Sequence, residues 1–261
     1  MNTLIANGVE LAYQIDGSEG APALALVNSL GTNLRMWEPQ MARFSQAFRV
    51  VRYDCRGHGA SAAPPGEYTI EQLGRDLLAL LDALQIERAH VCGLSLGGMV
   101  ALWLAANAPE RVARVVFADT AARIGTVESW TARIALARTA GMSAVAELAL
   151  ARFLSARFRS QHPDVARKLR EMVESTNLEG YTGACAALRD ADLRPSLPAI
   201  TAPSLIIVGE GDESTPPAQA RALHSAIQGS ELAIVHDAAH LANVEQPEAF
   251  SRAALAFLSP A

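Results

Sequence analysis

Gly93-Leu94-Ser95-Leu96-Gly97 follows a short apolar run, Ala89-His90-Val91-Cys92, and opens an apolar helical stretch from Gly98 to Asn107. A G-x-S-x-G pentapeptide between a strand and a helix reads as a nucleophile elbow. The turn is tight, so the residues two before and two after the serine must be small. The serine hydroxyl is then held at the carboxyl edge of a sheet, and the helix that follows points its positive end toward it. Such a serine implies nucleophilic acyl chemistry, and it requires a base, an acid and an oxyanion hole elsewhere in the chain.

Moving outward from the elbow, short strand-like runs alternate with helical patterns. Val9–Ile15, Ala23–Asn28, Arg49–Tyr53, Val112–Ala118, Ser204–Val208 and Glu231–Val235 read as strands. Thr69-Ile70-Glu71-Gln72 resembles a capping box, and Leu73, Leu77, Leu80, Leu81 and Leu84 lie on one face of the helix it starts. Pro217–Ile227 and Gln246–Leu258 carry helical spacing. The alternation predicts an α/β fold with a mostly parallel, doubly wound sheet. One segment breaks it. Residues 121–197 contain no convincing strand, and Trp130–Thr139, Ser143–Phe153 and Pro163–Ser175 have helical periodicity. The expected organisation is a core made of residues 1–120 and 198–261, with 121–197 inserted as a helical cap over the carboxyl edge of the sheet.

Composition narrows the function classes. The 261 residues are 50% hydrophobic, ample for a buried core, and the net charge of −5 without a basic run argues against a nucleic-acid partner. The first residues, Met1-Asn2-Thr3-Leu4-Ile5, lack the pattern of a signal peptide, and the longest apolar runs are too short to span a bilayer, so no membrane partner is expected. Three scattered cysteines, Cys55, Cys92 and Cys185, suit small buried positions and a reducing cytoplasm. Residues 121–197 hold 11 Lys+Arg against 8 Asp+Glu, a net +3, whereas the rest holds 11 against 19, a net −8. Solvated helix faces explain this asymmetry, and so does a cap that attracts an anionic substrate.

On an elbow of this kind the acid and then the histidine follow the serine in chain order. His58 and His90 precede Ser95, His162 falls in the helical segment, His224 falls within a helix, and His236 follows directly on the last strand. His240 stands four residues past that strand on a loop of small residues, Asp237-Ala238-Ala239, from which an imidazole could reach the serine. Asp212 ends Val208-Gly209-Glu210-Gly211-Asp212 at a strand's carboxyl end and is the candidate acid. Glu210 and Glu213 read as solvated, and Asp119 is the alternative. Ser95, Asp212 and His240 are therefore the expected triad: nucleophile, orienting acid and general base. Leu96, the residue after the nucleophile, would donate one oxyanion-hole N–H, and Leu30, in the loop Asn28-Ser29-Leu30-Gly31, the other. Asp54-Cys55-Arg56-Gly57-His58-Gly59-Ala60-Ser61 reads as a structural turn bracing the Leu30 loop. The chain contains no phosphate-binding loop and no cluster with zinc-like spacing.

Across its whole length the sequence resembles the α/β-hydrolases, and more narrowly the 3-oxoadipate enol-lactonases. The elbow and the stretch Gly209–Pro217 (GEGDESTPP) carry the broad likeness, together with His240–Pro247 (HLANVEQP). The narrower one rests on Asn28-Ser29, in place of the commoner His-Gly, and on two stretches of the cap, Trp130–Ile134 (WTARI) and Tyr181–Arg194 (YTGACAALRDADLR). The resemblance implies hydrolysis of a small anionic lactone through an acyl-enzyme, without a cofactor. The free carboxylate of such a substrate needs a cationic partner, preferably arginine. Trp130 and Arg133, three apart on a helix, share a face. Arg133 is the candidate for the carboxylate and Trp130 for a pocket wall, with Arg138 and Arg189 as rivals. A broader esterase, a carbon–carbon bond hydrolase of ring-cleavage products and a ligand-binding receptor on the same scaffold are the competing readings.

Overall fold

A computed structural model describes residues 1–259. The strands β1 (Asn2–Ala6), β2 (Val9–Asp16), β3 (Ala23–Val27), β4 (Arg49–Tyr53), β5 (Ala89–Leu94), β6 (Val112–Ala118), β7 (Ser204–Gly209) and β8 (Glu231–Val235) form one sheet in the order β1-β2-β4-β3-β5-β6-β7-β8. The two pairings that involve β2 are antiparallel, and all the others are parallel. β7 is buried along its whole length, and β3 and β5 nearly so, because the strands in the middle of a parallel sheet are covered on both faces. That is why they read as continuous apolar runs rather than alternating ones.

β1 was not expected from the sequence. Its signal is the dipeptide Asn7-Gly8, whose φ angles of +48° and +74° build the tight hairpin to β2. Asn-Gly is the pair most suited to such a turn.

The helices of the sheet are α1 (Glu38–Ala47), α2 (Ile70–Ala83) and α3 (Leu96–Asn107). After β6 come α4 (Val127–Phe153), α5 (Ala156–Gln161), α6 (Pro163–Glu174) and α7 (Leu178–Asp190), and after β7 come α8 (Pro217–Ala226), α9 (Ala242–Glu245) and α10 (Pro247–Leu258). α2 starts as its cap predicts: the Thr69 side chain accepts the Gln72 N–H at 3.0 Å, and Leu73, Leu77, Leu80 and Leu81 are buried. α3 packs on β5 and β6 with α2 beside it, while α1 packs with α10.

The four helices α4 to α7 stand between β6 and β7, where the strand pattern lapses in the sequence. α4 is long and apolar enough by length and composition to cross a membrane. It is nevertheless two helices meeting at Gly141, whose φ of +77° and ψ of 177° are not helical, and Val145, Ala146 and Ala149 on its second half are buried. α5 and α7 were not foreseen. α7 is buried from Gly180 to Leu188 and carries no polar face to reveal a helical period. A Cβ on Gly180 would lie 2.2 Å from the Gly57 carbonyl oxygen, so the helix approaches the Gly57 turn backbone to backbone.

Candidate active site

Ser95 joins β5 to α3 with φ +58° and ψ −112°, a conformation that a side-chain-bearing residue rarely adopts. Two glycines make the bend feasible. A Cβ on Gly93 would fall 2.0 Å from the Gly97 carbonyl oxygen, and one on Gly97 would fall 2.1 Å from that of Val27. The bend is tied down by Ser95 N–H donating to Ala118 O at 3.0 Å and by Thr120 Oγ1 donating to Ser95 O at 2.7 Å. Leu96 is the first residue of α3, so its N–H has no acceptor within the helix and points out of the helix N-terminus.

Leu30 follows β3, and its N–H donates to no group among the described residues. The loop around it is held by hydrogen bonds. Asn28 donates through Nδ2 to Tyr53 O at 2.7 Å and accepts from Trp37 Nε1 at 3.0 Å. The Asp54–Ser61 turn reaches the same loop slightly further on: Asp54 accepts the Leu34 N–H at 2.7 Å and the Ala60 N–H at 2.8 Å.

Asp212 and His240 meet at the carboxyl ends of β7 and β8. Asp212 Oδ2 is 2.9 Å from His240 Nδ1, and the two side chains are 0% and 3% exposed. Asp212 also accepts the N–H groups of Ser214 at 2.8 Å and Thr215 at 3.0 Å, and the Thr215 hydroxyl at 2.7 Å. Burial on its own would raise the Asp212 carboxyl. The neighbouring His240 and the Thr215 donors outweigh it and hold the group below the usual carboxylate range. An ionised acceptor beside Nδ1 makes that nitrogen the N–H donor and leaves Nε2 free to take a proton. Phe153 stacks on the imidazole with ring centroids 5.9 Å apart. The Leu241 N–H donates to Phe153 O at 2.9 Å, which sews the end of α4 to the loop carrying the histidine.

The rival acids are placed differently. Glu210 pairs with His236 at 3.2 Å on the surface, and Glu213 is exposed. Asp119 is fully buried and accepts the Gly209 N–H at 2.7 Å. Burial, and then the charge of Asp212, push its carboxyl well above its ordinary value. That carboxyl is tied to the end of β7 and makes no hydrogen bond to His240 among the described residues, whereas Nδ1 of His240 faces Asp212.

Ser95, His240, Leu30, Trp130 and Arg133 all line one cavity of about 110 Å³. This volume is below that of drug-sized sites and suits a small ligand. Ser95 and His240 share the cavity without a hydrogen bond between them among the described residues. Catalytic contacts of this kind commonly tighten only when substrate binds. A larger cleft, about 790 Å³, is lined in part by Asp237, Ala238 and Ala239 and includes neither Ser95 nor His240.

Trp130 donates from Nε1 to Ile124 O at 2.6 Å, and its ring forms part of the cavity wall. Arg133 has no acidic partner among the described residues and donates only to the Tyr181 hydroxyl, at 3.3 Å. The other two arginines are engaged elsewhere. Arg138 lies 3.9 Å from Glu179, and Arg189 is clamped by Glu67 at 2.9 Å and Asp190 at 2.7 Å. Neither lines the cavity. Arg152 does, and sequence reasoning missed it; the basic excess of residues 121–197 pointed to the segment without singling out the residue.

Comparison with known proteins gives a consistent outcome. The sequence profile of the alpha/beta hydrolase fold matches residues 22–247. The chain is 44% identical over 252 residues to 3-oxoadipate enol-lactonase 2 of Acinetobacter baylyi, covering 97% of this chain and 94% of that protein. It is 40% identical to 3-oxoadipate enol-lactonase 1 of the same organism, covering 93% and 91%. Among solved structures, the crystal structure of the enol-lactonase from Burkholderia xenovorans LB400 superposes with a TM-score of 0.97 at 46% identity, covering 98% of this chain and 99% of that one.

Proposed function

The chain belongs to the 3-oxoadipate enol-lactonase family of α/β-hydrolases, and on that premise we propose that it hydrolyses 3-oxoadipate enol-lactone to 3-oxoadipate through an acyl-enzyme on Ser95. The observation that carries this reading is the buried Asp212–His240 pair, 2.9 Å apart, whose histidine lines the same small cavity as Ser95. Fold alone would not decide the reaction.

His240 Nε2 accepts the Ser95 proton as Oγ attacks the lactone carbonyl carbon. The negative charge that develops on the carbonyl oxygen is taken up by the N–H groups of Leu30 and Leu96. The ring C–O bond then breaks, and the departing enol oxygen receives the proton from His240. An enol oxygen is a better leaving group than an alkoxide, so this step demands little of the acid. Water next gives a proton to His240 and attacks the acyl carbon, and the proton returns to Ser95 as the ester bond breaks. The released enol ketonises to 3-oxoadipate. Asp212 keeps Nδ1 protonated and stabilises the imidazolium without itself taking a proton.

Arg133 binds the free carboxylate of the substrate, and Trp130 walls the site. The guanidinium's lack of an acidic partner supports this role, as does its place on the cavity. The helices between β6 and β7 act as the cap. A cytoplasmic setting is supported by three cysteines that are all free and buried.

The test compares kcat/KM for the enol-lactone with that for a neutral aryl ester. A lactonase that selects for charge prefers the acid-bearing lactone by orders of magnitude, whereas equal values would favour a general esterase.

A further inference from the structure

The oxyanion loop carries a side chain that the mechanism above leaves idle. Ser29 precedes Leu30, is 1% exposed, and its Oγ has no hydrogen-bond partner among the described residues. Among the described residues, eight other side chains hold a buried, unpartnered polar atom, Tyr53, Asn243 and Ser251 included, but of these nine Ser29 is the one that lines the cavity with Ser95, Leu30 and His240.

The main chain of Ser29 is fully engaged away from the cavity. Its N–H points at Met36 Sδ, 3.2 Å away. Its carbonyl accepts the Thr32 N–H at 3.2 Å and the Thr32 hydroxyl at 2.7 Å. Thr32 Oγ1 lies 2.9 Å from the same sulfur, so the loop is locked around Met36. Ser29 therefore has little freedom to turn its hydroxyl toward another protein acceptor. A buried hydroxyl without a partner is unfavourable in a folded protein, and where one persists at a functional site its partner is commonly the ligand. In the tetrahedral intermediate, the oxyanion held by Leu30 N–H offers an acceptor beside this loop.

We infer that Ser29 Oγ–H is a third oxyanion donor, adding a side-chain hydrogen bond to those of the Leu30 and Leu96 N–H groups. The inference rests on the acyl-enzyme reading above and deepens it. No bond to Ser29 forms or breaks; its hydroxyl keeps its proton and stabilises charge that exists only along the reaction path. A hydroxyl at this position is also what separates the Asn28-Ser29 loop from one with glycine there.

Ser29→Ala and Ser29→Gly test it on two substrates, the enol-lactone and p-nitrophenyl acetate, with thermal unfolding of each free protein alongside. The expected result is a fall in kcat of about 10-fold to 100-fold on both substrates, KM within about two-fold of wild type, and a melting temperature unchanged or raised. Both substrates develop the same acyl oxyanion. If wild type turns over the ester alone, the substrate assignment fails while Ser29 is still tested. Unaltered kcat on the ester, or a change confined to KM, overturns the inference. Loss of fold in both variants overturns it as well, because it would show that the hydroxyl already has a structural task.

Discussion

Asp212 Oδ2 and His240 Nδ1 lie 2.9 Å apart although their loops follow different strands, and neither side chain reaches solvent. The carboxylate is held by three further donors from Ser214 and Thr215, so it remains ionised and fixed in direction. An imidazole beside such a group is set in one tautomer before any substrate arrives.

Asp212→Asn should therefore disable the base while leaving the fold in place. An amide presents an N–H where an acceptor is needed and favours the wrong ring tautomer. A loss of about 10⁴-fold in kcat is expected. Steady-state kinetics on the enol-lactone check it, and a variant within ten-fold of wild type would remove Asp212 from the mechanism.

Gly97→Ala is expected to damage both the elbow and the oxyanion loop. The added methyl would meet Val27 O at 2.1 Å, and backbone on both sides would have to yield. The cost is about 3 kcal/mol or more. Thermal unfolding measures it; a variant with wild-type stability and turnover would show that the elbow is looser than described.

Arg133→Gln should raise KM for the enol-lactone by about 10- to 100-fold, the usual worth of a charged hydrogen bond, and leave a neutral aryl ester unaffected. Arg189→Gln should alter neither substrate, because Glu67 and Asp190 already occupy that guanidinium. If Arg133→Gln left the lactone kinetics intact, Arg152, which lines the same cavity, would be the next cation to test.

Two buried carboxyls give stability opposite dependences on pH. Asp212 is held below its ordinary value, so its contribution is present above pH ~4 and is lost as acid protonates it. Asp119 is pushed well above its ordinary value. Above pH ~4 the unfolded chain releases that proton while the fold retains it, so stability falls as pH rises. Unfolding free energies of Asp119→Asn relative to wild type should shift in favour of the variant from pH 4 to pH 8. A difference independent of pH would mean that Asp119 is ionised in the fold.

The parts of this architecture that were legible from sequence have local causes. The elbow needs two glycines at fixed spacing, and the buried strands need continuous apolar runs; both leave a mark in the order of residues. Asp212 and His240 could be proposed as acid and base because strand ends confine where such groups can stand, and the structure brings the two within 2.9 Å. Elements defined by partners distant in the chain were less visible. α7 owes its course to the close approach of Gly180 to Gly57 and shows no amphipathic face. β1 was missed although Asn7-Gly8 marked its hairpin. The Asn28-Ser29 pair could be quoted as unusual, but that Ser29 Oγ has no partner can be learned only from the packed loop.

The most direct test follows enol-lactone consumption spectrophotometrically with wild type and with Ser95→Ala at equal concentration. Rapid turnover by wild type, falling by about 10⁴-fold or more when the hydroxyl is removed, is the expected result. Comparable turnover by the two proteins would contradict a reaction that begins at Ser95.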